Sequence, residues 1–105
     1  MHDYPSSATL KRIEKWPWEN DGHLALMRFV KSIWRDADCG YWSERGRSFY
    51  ISTAGWSGNE SIIGALAHNW MFWALCWVSS RRGGHYRFHV PKIKRCAQKR
   101  TKQEA

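Results

Sequence analysis

The stretch WMFWALCWVSSRRGGHYRFHV, residues 70–90, decides how this chain is read. Gly83 and Gly84 stand side by side between two segments rich in aromatic and apolar side chains, which is the signature of a β-hairpin. With these glycines as a two-residue loop at positive φ, Arg82 faces His85, Ser80 faces Arg87 and Val78 faces His89. Strand alternation then collects Trp73, Leu75, Trp77, Tyr86, Phe88 and Val90 on one face, a natural core face. The opposite face begins apolar at Phe72, Ala74, Cys76 and Val78. It turns basic near the loop, at Ser80, Arg82, His85, Arg87 and His89. Pro91, which has no N–H to give, closes the pairing.

Upstream, Phe49–Thr53 is β-prone and supplies a third strand, with Glu44-Arg45-Gly46-Arg47 as a turn or loop before it. Ser6 and Ser7 can cap a short helix through Leu10 and Ile13 that Trp16-Pro17-Trp18 stops. Leu26, Val30, Ile33 and Ala37 recur at helical spacing after the Asn20-Asp21-Gly22 cap, predicting an amphipathic helix from His23 that ends near Gly40. Ser57 with Glu60 three residues on forms a capping box, with Trp56 as a staple before it; the helix it opens continues to Trp70, where Asn69 is a left-handed stop. The expected fold is α+β: a three-stranded antiparallel sheet from Phe49–Thr53, Trp70–Ser80 and His85–Val90, with two to three helices packed mainly on one face, that of Trp73 and Trp77.

Composition narrows the class. A chain of 105 residues with 43% hydrophobic side chains carries one core, which excludes a multidomain enzyme, a collagenous chain and a low-complexity chain. Residues 1–91 read as a single domain and 92–105 as a basic tail. Lys and Arg number 17 against nine Asp and Glu, a net charge of +8. Up to Val78 the two signs balance, so the whole excess falls between Ser79 and Ala105. A localised basic block attracts phosphates, anionic lipid or an acidic protein surface, or simply solvates a tail. No basic start precedes an apolar stretch at Met1, and the longest apolar run, Trp70–Val78, is too short to span a bilayer. Cys39, Cys76 and Cys96 are odd in number and lack a C-x-x-C pair, which suits a reducing cytoplasm and no membrane partner.

Site chemistry is sparse. On a strand, His85 and His89 stand roughly 13 Å apart, too far to share a metal ion, so neither a metal nor a cofactor is expected. Gly55-Trp56-Ser57-Gly58 lacks the second glycine of a nucleophile elbow, and no pair of carboxylates sits in an apolar setting. The expectation is therefore a protein that is not an enzyme. Ser79-Ser80-Arg81-Arg82-Gly83-Gly84-His85-Tyr86 is the richest segment: glycines that expose backbone N–H groups, two guanidinium forks and two hydroxyls can hold a phosphate or carboxylate. The same residues would also serve as a soluble hairpin tip. Candidate binding residues are Ser80, Arg81, Arg82, Gly83, Gly84, His85 and Arg87, joined by Lys92, Lys94, Arg95, Lys99, Arg100 and Lys102 of the tail. Trp16 and Trp18, which bracket a proline, could be stacking platforms or packing residues.

The stretch from Ile51 to Glu60 (ISTAGWSGNE), followed by Phe72-Trp73, Cys76-Trp77 and Ser79 to Phe88, resembles a group of small proteins encoded by tailed bacteriophages and prophages. The likeness covers residues 49–90 and leaves both ends unmatched. It carries no activity and no catalytic residue; it implies a phage accessory protein in the host cytoplasm. By analogy with anti-CRISPR proteins, the expected function is to bind and modulate a nucleic-acid-centred host complex, a protein or ribonucleoprotein, such as a defence system. Two other readings are direct DNA or RNA binding by the basic last quarter and, more weakly, phosphate-ester or nucleotide chemistry at the Arg-Gly-Gly-His turn. No helix-turn-helix, zinc-finger or RNP signature accompanies the basic residues.

The tail adds charge and almost no apolar surface. Deleting residues 92–105 should leave the thermal midpoint nearly unchanged; a fall of more than about 10 °C in a melting curve would show that it packs as part of the core.

Overall fold

The computed structural model describes residues 4–35 and 37–92. Helix α1 (Ser7–Glu14) is followed by α2 (Gly22–Ile33), a short 3-10 turn (Ala37–Cys39), β1 (Trp42–Arg45), β2 (Ser48–Ser52), α3 (Ser57–His68), α4 (Trp70–Cys76), β3 (Trp77–Arg81) and β4 (His85–His89). The chain is α+β as expected, but with four helices and four antiparallel strands among the described residues, in the order β1-β2-β4-β3. No helix among those residues is long and apolar enough to cross a membrane.

The first correction concerns Trp70–Cys76, which is helix and not strand. A short run in which every side chain is apolar carries neither a period of two nor one of 3.6, so periodicity does not decide it. What decides it is Asn69. Its backbone leaves α3 with φ −86° and ψ 82°, not in the left-handed region, and its side-chain oxygen accepts from the Phe72 N–H at 3.2 Å. The Asn69 Nδ2 donates to the carbonyls of Ile13 and Trp16, at 3.0 and 3.2 Å. One buried amide thus caps α4 and satisfies two carbonyls at the end of α1. The helix buries Phe72 and Cys76, one turn apart, and Leu75 is exposed instead of joining the core.

The second correction is β1, a strand where a loop was expected. Trp42 packs edge-on against Trp34 and Phe49, with ring centroids 5.7 and 6.1 Å away. Gly46, at φ +62°, opens the two-residue connection to β2, and positive φ at that first position is what a II′ hairpin turn requires. Arg47, beside it, is a structural clamp. It donates to Val90 O at 2.7 Å and grips the Asp21 carboxylate through both terminal nitrogens, at 2.5 and 3.3 Å. Asp21 is the N-cap residue of α2, yet its side chain makes no capping bond because Arg47 holds it. The Arg47 hydrogen bond keeps the Asp21 carboxyl below the ordinary carboxylate range.

Helix boundaries shift for packing reasons. α2 stops at Ile33 because Trp34 turns extended and inserts fully into the core, its indole N–H donating to Ser52 O at 3.1 Å. α3 begins a residue early: Trp56 is itself the N-cap, and Ser57, inside the helix, exchanges a 2.7 Å hydrogen bond with the Tyr4 hydroxyl in place of forming a capping box. The Trp56 ring stacks on Tyr4, 5.1 Å between centroids. Trp16 stacks on Phe29 at 5.2 Å under the Arg12 guanidinium, so it packs, whereas Trp18 is exposed.

The core lies between the helices and one face of the sheet. Leu26, Met27 and Val30 of α2 and Ile62 and Leu66 of α3 join Phe49, Ile51 and Phe88 of the sheet. Burying each such side chain contributes about 1.5–3 kcal/mol. His23 and Cys76 meet inside it, Nδ1 to Sγ 3.7 Å, and the His23 Nε2 has no protein partner. Burial pushes the thiol up to about 12 and lowers the imidazole below its usual value, against a weaker opposing pull from Asp21. Both groups are therefore neutral, and the pair is not a thiolate–imidazolium couple.

A histidine held neutral in the fold takes up protons more readily once unfolded. Stability should therefore fall as pH drops below about 6.5, a window separate from that of Asp21 below pH 4. Urea unfolding at pH 7 and pH 5 measures it. His23→Phe, which keeps the ring against Phe72, should remove most of the difference.

Candidate anion-binding face

The pairing registers place Phe49 opposite Phe88 and Ile51 opposite Tyr86 on the core side. The alternate residues therefore share the outer face. Ser43, Tyr50, Arg87 and Ser79 form one row across all four strands; Ser52, His85 and Arg81 form a second; Arg45, Ser48 and His89 form a third. Glu44, the only acidic residue in the strands, points to the helix side, where it accepts from the Trp42 indole at 3.1 Å and from Lys31 at 3.3 Å. The strands consequently give their outer face three arginines and two histidines and no carboxylate. The sequence has no Asp or Glu between Glu60 and Glu104, so β3, β4 and their loop hold no neutralising charge.

On this face lies an open groove of about 710 Å³, bordered by Tyr41, Tyr50, Ser79, Arg81, His85 and Arg87. The Arg87 guanidinium sits 4.9 Å from the Tyr50 ring centroid, a cation–π pair that leaves a flat, positively charged surface. Tyr41 also borders a second hollow of about 300 Å³, shared with Arg35, Trp56 and Asn59. There Arg35 lies 5.2 Å from the Trp56 ring centroid. Asn59, fully buried, accepts from Arg35 N and donates toward Thr53 O, tying the end of α2 to the loop before α3. Among the described residues, no group of three His, Cys, Asp or Glu is placed to hold a metal ion.

The hairpin itself differs from the expected register. Arg81 faces His85, Ser80 faces Tyr86 and Ser79 faces Arg87; an irregularity at Val78 then restores Trp77 opposite Phe88. The loop is Arg82-Gly83-Gly84, with both glycines at positive φ. The one-residue slip puts Ser79 and Arg81 on the outer face and turns Ser80 to the Tyr86 side, where its hydroxyl accepts the Trp77 indole N–H at 2.8 Å. His85 and Arg87 lie on the outer face as read from the sequence. Lys92 lies beyond the far end of β4, close enough to Asp21 to act on its charge, and so is separated from the hairpin tip. Lys94, Arg95, Lys99, Arg100 and Lys102 lie outside the described residues.

Tyr41, Tyr50, Ser43 and Ser52 went unremarked in the sequence. For Tyr50 the signal is present: Phe49 and Ile51 flank it, and alternation turns it away from whichever face they occupy. Tyr41 and Ser43 depend on β1, whose four residues show no apolar alternation.

The hairpin tip is anchored at Gly84. The Thr53 N–H donates to Gly84 O at 3.0 Å, and a Cβ on Gly84 would collide with the Thr53 hydroxyl, while φ is +80°. The segments 51–60 and 79–88 therefore meet at one end of the sheet. Gly84→Ala should cost about 2–3 kcal/mol, combining left-handed strain with displacement of Thr53; Gly83→Ala, with only the His85 ring nearby, should cost about 1 kcal/mol. Urea denaturation of the two variants checks the ranking.

No protein-family model matches the sequence, and comparison with curated proteins and with solved structures finds no significant match.

Proposed function

We propose that this chain is a non-enzymatic binding protein whose outer sheet face and Arg81–Tyr86 hairpin contact a nucleic-acid strand. The observation that carries this reading is the sheet face with three arginines, two histidines and an exposed tyrosine under a guanidinium, without a carboxylate from any strand. Phosphates are drawn by the charge and bases by the aromatic surface, the combination used by proteins that bind single strands. An open groove bordered by the partly exposed Tyr41 and Tyr50 suits an unpaired strand better than the regular edge of a duplex. Set beside the phage resemblance of residues 49–90, the role is that of an accessory protein acting on a nucleic-acid-centred host complex such as a defence system. In that role the cationic face engages the complex through its nucleic acid.

The test is fluorescence anisotropy with a labelled single-stranded 12-mer in DNA and RNA form. Three to four neutralised phosphates give a slope of log K against log salt of about −2 to −3. Arg81→Glu with Arg82→Glu should weaken binding at least tenfold, about 1.4 kcal/mol, with an unchanged circular dichroism spectrum. Tyr50→Ala should lose about 1–2 kcal/mol with little effect on the salt slope. Absence of binding at low salt, or equal binding by all three proteins, overturns the reading.

A further inference from the structure

The outer arc of α4 is the least expected surface of the molecule. Helical spacing places Trp70, Met71, Ala74 and Leu75 away from the buried pair Phe72 and Cys76, so the solvent side of this helix has no polar side chain. The arc continues into β3. Exposures are 72% at Trp70, 47% at Leu75, 41% at Trp77 and 45% at Val78, and Trp73 stacks on Trp77 with 6.1 Å between centroids. β3 is also an end strand of the sheet, so the backbone groups on its outer side face no strand among the described residues. The opposite edge, β1, carries Glu44 and Arg45, charges that discourage further pairing; β3 carries none before Arg81.

We propose that this surface, the outer arc of α4 with the edge of β3, is where a second copy of the chain docks. Charge selects this occupant. The chain carries +8 overall, yet Trp70–Ser80 contains no charged side chain, so two copies can meet here without bringing like charges together. An acidic partner would be drawn to the outer sheet face, not to this neutral patch. Area sets the strength. The four exposed side chains offer roughly 400 Å² of apolar surface, against about 800 Å² per partner in a standard interface. Met71, Trp73 and the β3 backbone extend the contact, and the result is a weak dimer with a dissociation constant of about 10–100 µM.

Sedimentation equilibrium in 0.15 M salt from about 5 to 200 µM tests this, because self-association is concentration-dependent. The apparent mass should rise from 12.4 kDa toward twice that value. Leu75→Glu and Trp70→Glu each replace an exposed side chain, leave the circular dichroism unchanged and should weaken association at least tenfold. If one of them misfolds, the other supplies the measurement. A wild-type protein that stays monomeric at about 200 µM, or variants that associate like wild type, overturns the proposal. Trp70 and Leu75 are not among the residues tested for strand binding (Tyr50, Arg81 and Arg82), so oligonucleotide titration of the same samples reports the two proposals separately.

Discussion

A single buried amide holds the helical half of this protein in place. Asn69 lies between α3 and α4, caps the second with its oxygen and ties down the end of α1 with its nitrogen. Each hydrogen bond contributes only about 1 kcal/mol net, but the Asn69 amide is itself buried, and leaving it unpaired would cost more than the bonds contribute. The position of the cap also sets the phase of α4. Phe72 and Cys76 turn into the core against Phe88 and His23, and Trp70 and Leu75 turn out. The apolar outer arc is thus a consequence of the same constraint that closes the core.

The sheet half is organised by charge as much as by burial. Arg47 joins β4's exit to α2's entry through Asp21, and Glu44 joins β1 to Lys31 of α2, so these two carboxylates are engaged away from the outer face. Exposed ion pairs of this kind contribute little stability, and their effect here is directional. They keep the charges of Asp21 and Glu44 off the outer face, where Arg45, Arg81 and Arg87 share the surface with Tyr50 and His85. The fold therefore separates three environments: an apolar core with a neutral His23–Cys76 pair, a cationic aromatic face, and a neutral apolar edge.

Much of this was legible in the sequence because it follows from local chemistry. Ser6 as a cap, Asp21 at the start of α2, the arrest of α1 before Pro17 and the hairpin around Gly83-Gly84 all rest on backbone constraints within a few residues. Alternation along β4 sent Phe88 and Val90 inward and His85, Arg87 and His89 outward, because one face of a half-buried strand must be apolar. The excess of positive charge after Val78 was likewise plain from counting.

Other features depend on partners distant in the chain. Whether Trp70–Cys76 is helix or strand depends on an amide that reaches Ile13, 56 residues away, and no local period reports that. The loop length and register of the hairpin depend on Thr53 packing against Gly84 and on the Val78 irregularity, which together moved Ser79 and Arg81 onto the face assigned to Ser80 and Arg82. β1 exists because Trp42 has a buried Trp34 to pack against. By itself the sequence determined the fold class, the strand faces of β4 and the basic character of the last quarter, since each follows from side-chain type and spacing. Only the tertiary structure decided that Tyr41, Tyr50, Arg81 and Arg87 share one groove, and that Trp70 and Leu75 of α4 are left outside. Both outcomes are settled by which long-range contacts satisfy buried polar groups.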